Sequence, residues 1–203
     1  MIKNYIFDFG NVITEFIPEK LTAPYIKEQQ QLNAVCEVVF DRKYWDKLDN
    51  NSITETEVKN DFANRLPKDL YEIACQAFDG WIENLTPIKG MCELIADLKN
   101  KNKNLYLLSN ISVRFANEYV NTEWIKNVFS LFDGLVFSAT TEFVKPDKDI
   151  FEYLLNKFNL NPEECLFIDD APRNIEGATE AGIEGYLFDG DSEKLRRFLF
   201  EII

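Results

Sequence analysis

The second half of the chain alternates short apolar runs with amphipathic helical stretches, and few architectures accept that order. Runs that read as buried strands lie at Tyr5 to Phe7, Leu105 to Leu108, Leu135 to Phe137, Cys165 to Ile168 and Tyr186 to Phe188. Between the later ones, Ile88 to Lys101 sets Met91, Leu94, Ile95 and Leu98 on one helical face. Asp149 to Phe158 does the same with Ile150, Phe151, Leu154 and Phe158. A βαβαβ order predicts a parallel sheet with helices on both faces, joined by right-handed crossovers. The expected core is therefore α/β, a three-layer Rossmann-like sheet.

The first strand stands apart from the rest. From Glu15 to about Pro87 no convincing strand occurs, whereas helical signals do, among them Ser52 to Glu55 with the spacing of a capping box and an acidic first turn. This predicts a helical-bundle domain at residues 15–87, inserted into an α/β core made of residues 1–14 and 88–203. Its aromatic residues, including Phe40, Tyr44, Trp45, Phe62, Phe78 and Trp81, are expected to form the core of the bundle, with some at the seam to the sheet. Asn100 to Asn104 reads as a solvated helix end before the next strand.

Composition narrows the chemistry. A net charge of −13 over 203 residues argues against a nucleic-acid backbone as partner, because counterion release needs a basic face. No apolar stretch approaches the ~20 residues of a membrane span. The N-terminal apolar run ends at Asp8, too short for a secretory signal, so a cytoplasmic location is expected. Cys36, Cys75, Cys92 and Cys165 are scattered without a Cys-x-x-Cys pair, which predicts reduced, mostly buried thiols and no zinc site. The chain has no histidine, which removes Ser-His-Asp and Cys-His catalysis and imidazole metal ligation. Carboxylates, lysines, hydroxyls and hard cations remain.

Four strand ends carry such groups. Asp8 ends the first run and is followed at once by Phe9-Gly10-Asn11, a placement that suits a nucleophile, since ligands of open α/β sheets collect beyond the carboxyl ends of strands. After the second run come Ser109 and Asn110, a hydroxyl and backbone N–H groups in a turn before a helix, which suits a phosphate. Lys145 precedes Pro146, read as starting a helix, after the third run. Asp169 and Asp170 end the fourth; adjacent acids repel unless a cation is present, and Mg²⁺ is a natural resolution. Taken singly, each of these is also ordinary turn, cap or surface chemistry.

Taken together and in that order, they resemble the four motifs of the haloacid dehalogenase superfamily over essentially the whole chain. Asp8 matches the motif I nucleophile, Ser109 motif II, Lys145 motif III, and Asp169 with Asp170 motif IV. The helical insertion after motif I resembles the cap of the class whose cap lies at that point. Asp8-Phe9-Gly10-Asn11-Val12, Lys145-Pro146-Asp147 and the spacing of Asp169, Asp170, Asn174 and Ala178 resemble the branch of small sugar-phosphate phosphatases acting on glucose 1-phosphate and related compounds.

The resemblance implies a Mg²⁺-dependent phosphatase of a small phosphorylated metabolite, with Asp8 attacking phosphorus to form an aspartyl-phosphate that water hydrolyses. It implies Mg²⁺ on Asp8, Asp170 and the Gly10 carbonyl. It puts Ser109, the Asn110 N–H and Lys145 on the transferring oxygens, and Asp169 and Asn174 behind them. Two positions depart from the family pattern. Gly10 stands where most of these phosphatases carry a second Asp as general acid and base, and Glu142 stands where the branch commonly has Gly, a change to which no mechanism attaches. General acid catalysis is typically worth about 10²–10⁴-fold, so its absence favours substrates with good leaving groups, such as an anomeric oxygen or an acyl phosphate. Rival readings are a haloacid dehalogenase, disfavoured by the acidic pair, and a non-catalytic phosphometabolite binder, favoured by Gly10. A phosphomutase needs the missing acid. Asp8-Phe9-Gly10 also matches the kinase metal-binding tripeptide, but only seven residues precede it. Oligomeric state leaves no sequence signal.

Overall fold

In a computed structural model, which describes residues 1–202, the chain opens with strands β1 (Asn4–Phe7) and β2 (Thr14–Glu15). Five helices follow: α1 (Pro18–Thr22), α2 (Gln29–Val39), α3 (Arg42–Asp49), α4 (Glu55–Arg65) and α5 (Lys68–Asp79). Then come β3 (Thr86–Pro87), α6 (Met91–Asn100), β4 (Asn104–Ser109), α7 (Val113–Glu118), α8 (Glu123–Phe129) and β5 (Gly134–Phe137). The chain closes with α9 (Lys148–Phe158), β6 (Cys165–Asp169), α10 (Pro172–Glu180), β7 (Glu184–Leu187) and α11 (Ser192–Ile202).

Five strands form one sheet in the order β5-β4-β1-β6-β7, and every pairing in it is parallel. Tyr5, Ile6 and Phe7 of β1 have no exposed surface, as a central strand covered on both faces requires. The two-residue period of the strand divides them. Tyr5 and Phe7 pack with Met91, Leu94, Ile95, Leu98, Leu195 and Leu199, while Ile6 packs on the other face with Ile150, Phe151, Leu154 and Ala178. The result is the expected three-layer α/β architecture.

Strand order reverses around β1, since the chain builds outward through β4 and β5 and then returns to the other side as β6 and β7. Such a reversal leaves a crevice at the carboxyl ends of the strands. Phe7 lies beside both Leu107 and Ile168, so Asp8 and Asp169 emerge as neighbours at the edge of the sheet, with Ser109 on the other flank.

Helices α2 to α5 bury a hydrophobic cluster of their own, with Val35, Val39, Val58, Phe62, Ala74, Ala77 and Phe78 fully enclosed, while Leu21 of α1 packs into the core of the sheet. A box of reciprocal hydrogen bonds caps α4. It is formed by Thr54 and Glu57 and not by Ser52 and Glu55: the Glu57 N–H donates to Thr54 Oγ1 at 3.2 Å and the Thr54 N–H to Glu57 Oε2 at 2.9 Å. Ser52 is held elsewhere, its N–H donating to the Lys47 carbonyl at 2.8 Å.

A further expectation is corrected: the stretch read as free of strands contains β3 at its end, paired antiparallel with β2, so a two-residue ribbon joins the two chain segments that run to the helices. Among the aromatics, Tyr44, Phe62 and Phe78 lie in the helical cluster and Phe40 and Trp45 at the seam between the two clusters, as expected, whereas Trp81 goes beyond the seam into the core of the sheet. All four cysteines are unpaired, Cys36 and Cys165 buried and Cys75 and Cys92 partly so. No helix among the described residues is long and apolar enough to cross a membrane.

Candidate active site

Immediately beyond β1 the backbone turns back, with the Ile13 and Thr14 N–H groups both donating to the Phe9 carbonyl. The left-handed residue of this turn is Asn11, at φ 53°, whose side-chain Oδ1 accepts from the Phe16 N–H at 3.1 Å. Gly10 needs no special conformation, and a Cβ placed on it would meet nothing within 4 Å. Neither strain nor crowding therefore explains glycine at position 10.

Lys145 is the centre of the site. Its side chain is 1% exposed, with Nζ 2.7 Å from Asp169 Oδ2 and 2.8 Å from Asp8 Oδ1. The contact to Asp8 is an ion pair whose angles miss hydrogen-bond geometry, leaving this buried oxygen without an aligned donor. Burial alone would lower the Lys145 pKa, but Asp8 and Asp169 override it and hold the ammonium above its ordinary value. Asn110 fixes the backbone of Lys145 through a reciprocal pair: its Nδ2 donates to the Lys145 carbonyl and its Oδ1 accepts from the Lys145 N–H, both at 2.8 Å. The side chain of Asn110, a residue expected to act only through its backbone N–H, is thus a brace for the lysine. Pro146 does not begin a helix; α9 starts two residues later, at Lys148.

Both oxygens of Asp169 are occupied. Oδ1 accepts from the Ala171 N–H at 2.8 Å and from Asn174 Nδ2 at 2.9 Å, and Oδ2 accepts from Lys145 and, at 3.0 Å, from the same Asn174 amide. This fully enclosed carboxylate anchors Lys145 and Asn174 and has little capacity left for another ligand. Asp8 and Asp170 are placed otherwise. Burial pushes the Asp8 carboxyl up to about 6, with Lys145 opposing and Asp169 adding to the rise. Burial, then Asp169, also raises Asp170. One lysine faces three carboxylates whose oxygens lie within 4.8 Å of one another. Hard oxygen donors this close, one of them buried without an aligned donor, fit a divalent cation such as Mg²⁺.

Asp8, Gly10, Ser109, Asn110, Lys145 and Asp170 line the floor of a cleft of about 380 Å³. Its opposite wall comes from the helical segment, where α3 contributes Arg42, Trp45, Asp46 and Asp49. Phe40 stacks on Trp45 with ring planes 4° apart, and Trp45 meets Trp81 edge to face at 5.2 Å, giving the wall an aromatic patch. Sequence reasoning had assigned no role to the polar residues of this wall. Charged positions near a helix end look like solvated surface, and nothing in their spacing points toward Asp8.

Comparison with known proteins identifies the family. The haloacid dehalogenase-like hydrolase model matches residues 2–182. The chain is 26% identical to the D-ribitol-5-phosphate phosphatase of Bacteroides thetaiotaomicron, over 92% of this chain and 91% of that protein. It is also 26% identical to the enolase-phosphatase E1 of Aquifex aeolicus, over 98% of both. Among solved structures, a haloacid dehalogenase family enzyme of Bacteroides thetaiotaomicron, in complex with magnesium and inorganic phosphate, superposes with a TM-score of 0.69 at 21% identity, covering 96% of this chain and 99% of that one. The L-2-haloacid dehalogenase of Xanthobacter autotrophicus gives 0.68 at 18% identity, covering 99% and 83%. With its parallel sheet, its acidic cluster at the strand ends and a family match across most of its length, the chain belongs to the haloacid dehalogenase-like hydrolases.

Proposed function

We propose that the protein is a Mg²⁺-dependent phosphatase acting on a small phosphorylated metabolite, with sugar phosphates as the substrate class. The observation that carries this reading is Lys145 held between Asp8 and Asp169 at the floor of the cleft. A buried cation beside a carboxylate suits an anionic nucleophile that must meet an anionic phosphoryl group. Asp8 attacks phosphorus in line, giving an aspartyl-phosphate that water then hydrolyses. Ser109, the Asn110 N–H and Lys145 hold the transferring oxygens, while Asp169 and Asn174 orient Lys145 from behind. Asp8, Asp170 and the Gly10 carbonyl would hold Mg²⁺, which supplies charge neutralisation between nucleophile and phosphate.

Residues 15–87 serve as the cap over a core of residues 1–14 and 88–203. Closure excludes water, and the partly buried Phe40 and Trp45, backed by Trp81, offer an apolar surface to a sugar ring while Arg42 and Asp46 offer groups for its hydroxyls. The ribitol-phosphate phosphatase among the relatives supports that substrate class. The acidic pair disfavours a metal-free dehalogenase. Turnover of 4-nitrophenyl phosphate with and without Mg²⁺, in wild type and Asp8→Asn, tests the reading. Release of nitrophenol only with Mg²⁺ and only by the wild type is expected, and full activity in Asp8→Asn refutes the nucleophile. A panel of hexose and pentitol phosphates then identifies the substrate.

A further inference from the structure

Resting on the phosphatase reading, we propose that Asp49 is the acid and base that position 10 lacks: its carboxyl protonates the leaving oxygen, and its carboxylate then deprotonates the attacking water. Asp49 is the last residue of α3 and lines the same cleft as Asp8, Ser109 and Lys145, from the opposite wall. It is placed by a specific tie between cap and core. Ser138 Oγ donates to the Asp49 carbonyl at 2.7 Å and accepts from the Ile111 N–H at 3.0 Å. Ile111 lies two residues beyond Ser109, so the turn that carries a phosphate-binding hydroxyl also fixes where Asp49 sits.

The carboxylate itself has no hydrogen bond or ion pair among the described residues. A structural role for it is hard to find, since a negative charge at a helix C-terminus opposes the macrodipole. The groups that face it are Asp46 and Arg42 on its own helix and Asp8 and Lys145 across the cleft, while Ser138 to Thr140 bring no ionisable side chain. Burial, then Asp46, raises its pKa to about 7, with Arg42 and Lys145 opposing, so both protonation states are accessible near neutrality.

The step balances. As the bond from Asp8 to phosphorus forms and the bond from phosphorus to the leaving oxygen breaks, the Asp49 proton passes to that oxygen. In the second half, Asp49 takes a proton from water, the new oxygen–phosphorus bond forms, the bond to Asp8 breaks, and phosphate departs. Because the acid arrives with the cap, proton delivery waits for closure.

The test compares phenyl phosphate, whose leaving group needs a proton, with 4-nitrophenyl phosphate, whose leaving group hardly does. In Asp49→Asn, turnover of phenyl phosphate should fall by about 10²-fold or more while 4-nitrophenyl phosphate falls by less than about 5-fold. The open space at Gly10 allows a rescue: adding Gly10→Asp to Asp49→Asn should restore most of the phenyl phosphate activity. Equal losses on the two esters, no loss on either, or a double variant no better than Asp49→Asn overturns the assignment. A wild-type protein that hydrolyses neither ester refutes the phosphatase reading itself, which keeps the two failures distinct.

Discussion

Replacing Lys145 with methionine keeps most of the side chain's length and removes its charge. The ammonium lies 2.7 Å from one enclosed carboxylate and 2.8 Å from another. At an effective dielectric of about 20, each contact is worth roughly 6 kcal/mol of gross Coulomb attraction, most of it offset by desolvation of the three groups. Breaking such a buried arrangement from one side typically costs about 3–5 kcal/mol, because the remaining charges stay buried without a partner. Part of that cost is avoided when a carboxyl takes up a proton, which makes the loss depend on pH. Lys145 has a folded pKa above its ordinary value, so its contribution in the wild type is complete at every pH well below that value. In Lys145→Met, Asp8 loses its cation and its folded pKa rises further above the ordinary carboxylate range. The penalty is then fully present above that folded pKa and fades as pH falls toward the unfolded carboxylate range. Urea unfolding in EDTA, followed at pH 8 and pH 5, measures both. We expect a loss of about 3–5 kcal/mol at pH 8 and a clearly smaller one at pH 5. A loss below about 1 kcal/mol at pH 8, or the same loss at both, refutes the argument that Lys145 neutralises the cluster.

Two further outcomes follow from the same geometry. Mg²⁺ at about 100 times its dissociation constant should stabilise the fold by about 2.7 kcal/mol; the gain should shrink below pH 6, where Asp8 takes up its proton, and thermal melts in which Asp8→Asn keeps the full gain would exclude Asp8 as a ligand. Phe62→Ala, at a fully enclosed site between Tyr44 and Phe78, should cost about 3–5 kcal/mol in denaturant unfolding, and a loss under about 1 kcal/mol would mean that this cluster is not packed as described.

The strands most plainly legible are the three inner ones, β1, β4 and β6, whose apolar runs are unbroken because helices cover them on either side. β5, at one edge, still shows its run because Leu135, Val136 and Phe137 are all apolar although Leu135 is only half-buried. β7 is an edge strand with Glu184 and Leu187 exposed. Its apolar run, Tyr186 to Phe188, therefore straddles the strand end, and the expectation fell two residues late. Two capping boxes with the same spacing compete near α4, and Ser52 loses because its N–H already serves the end of α3, a contact that local spacing does not reveal. On the floor of the cleft, Asp8, Ser109, Lys145 and Asp169 were visible because each ends a recognisable strand or follows one in a fixed order. Asp49 ends a helix among other charged residues and about forty positions from Asp8. Only tertiary structure brings it to the site, where it lines the cleft with its backbone carbonyl held by Ser138.

The ribbon of β2 and β3 sets Thr14 against Pro87 and Glu15 against Thr86, and Thr14 Oγ1 donates to the Thr86 carbonyl at 2.9 Å. The chain thus leaves the sheet and rejoins it at nearly one point, as compact inserted domains do. The ribbon itself fixes only where the helices leave and rejoin the sheet, and what lies between reaches the strand ends through contacts such as that of Ser138 with Asp49. A replacement segment that kept the ribbon but lost that contact would leave Asp8 and Lys145 in place while removing Asp49 from the cleft.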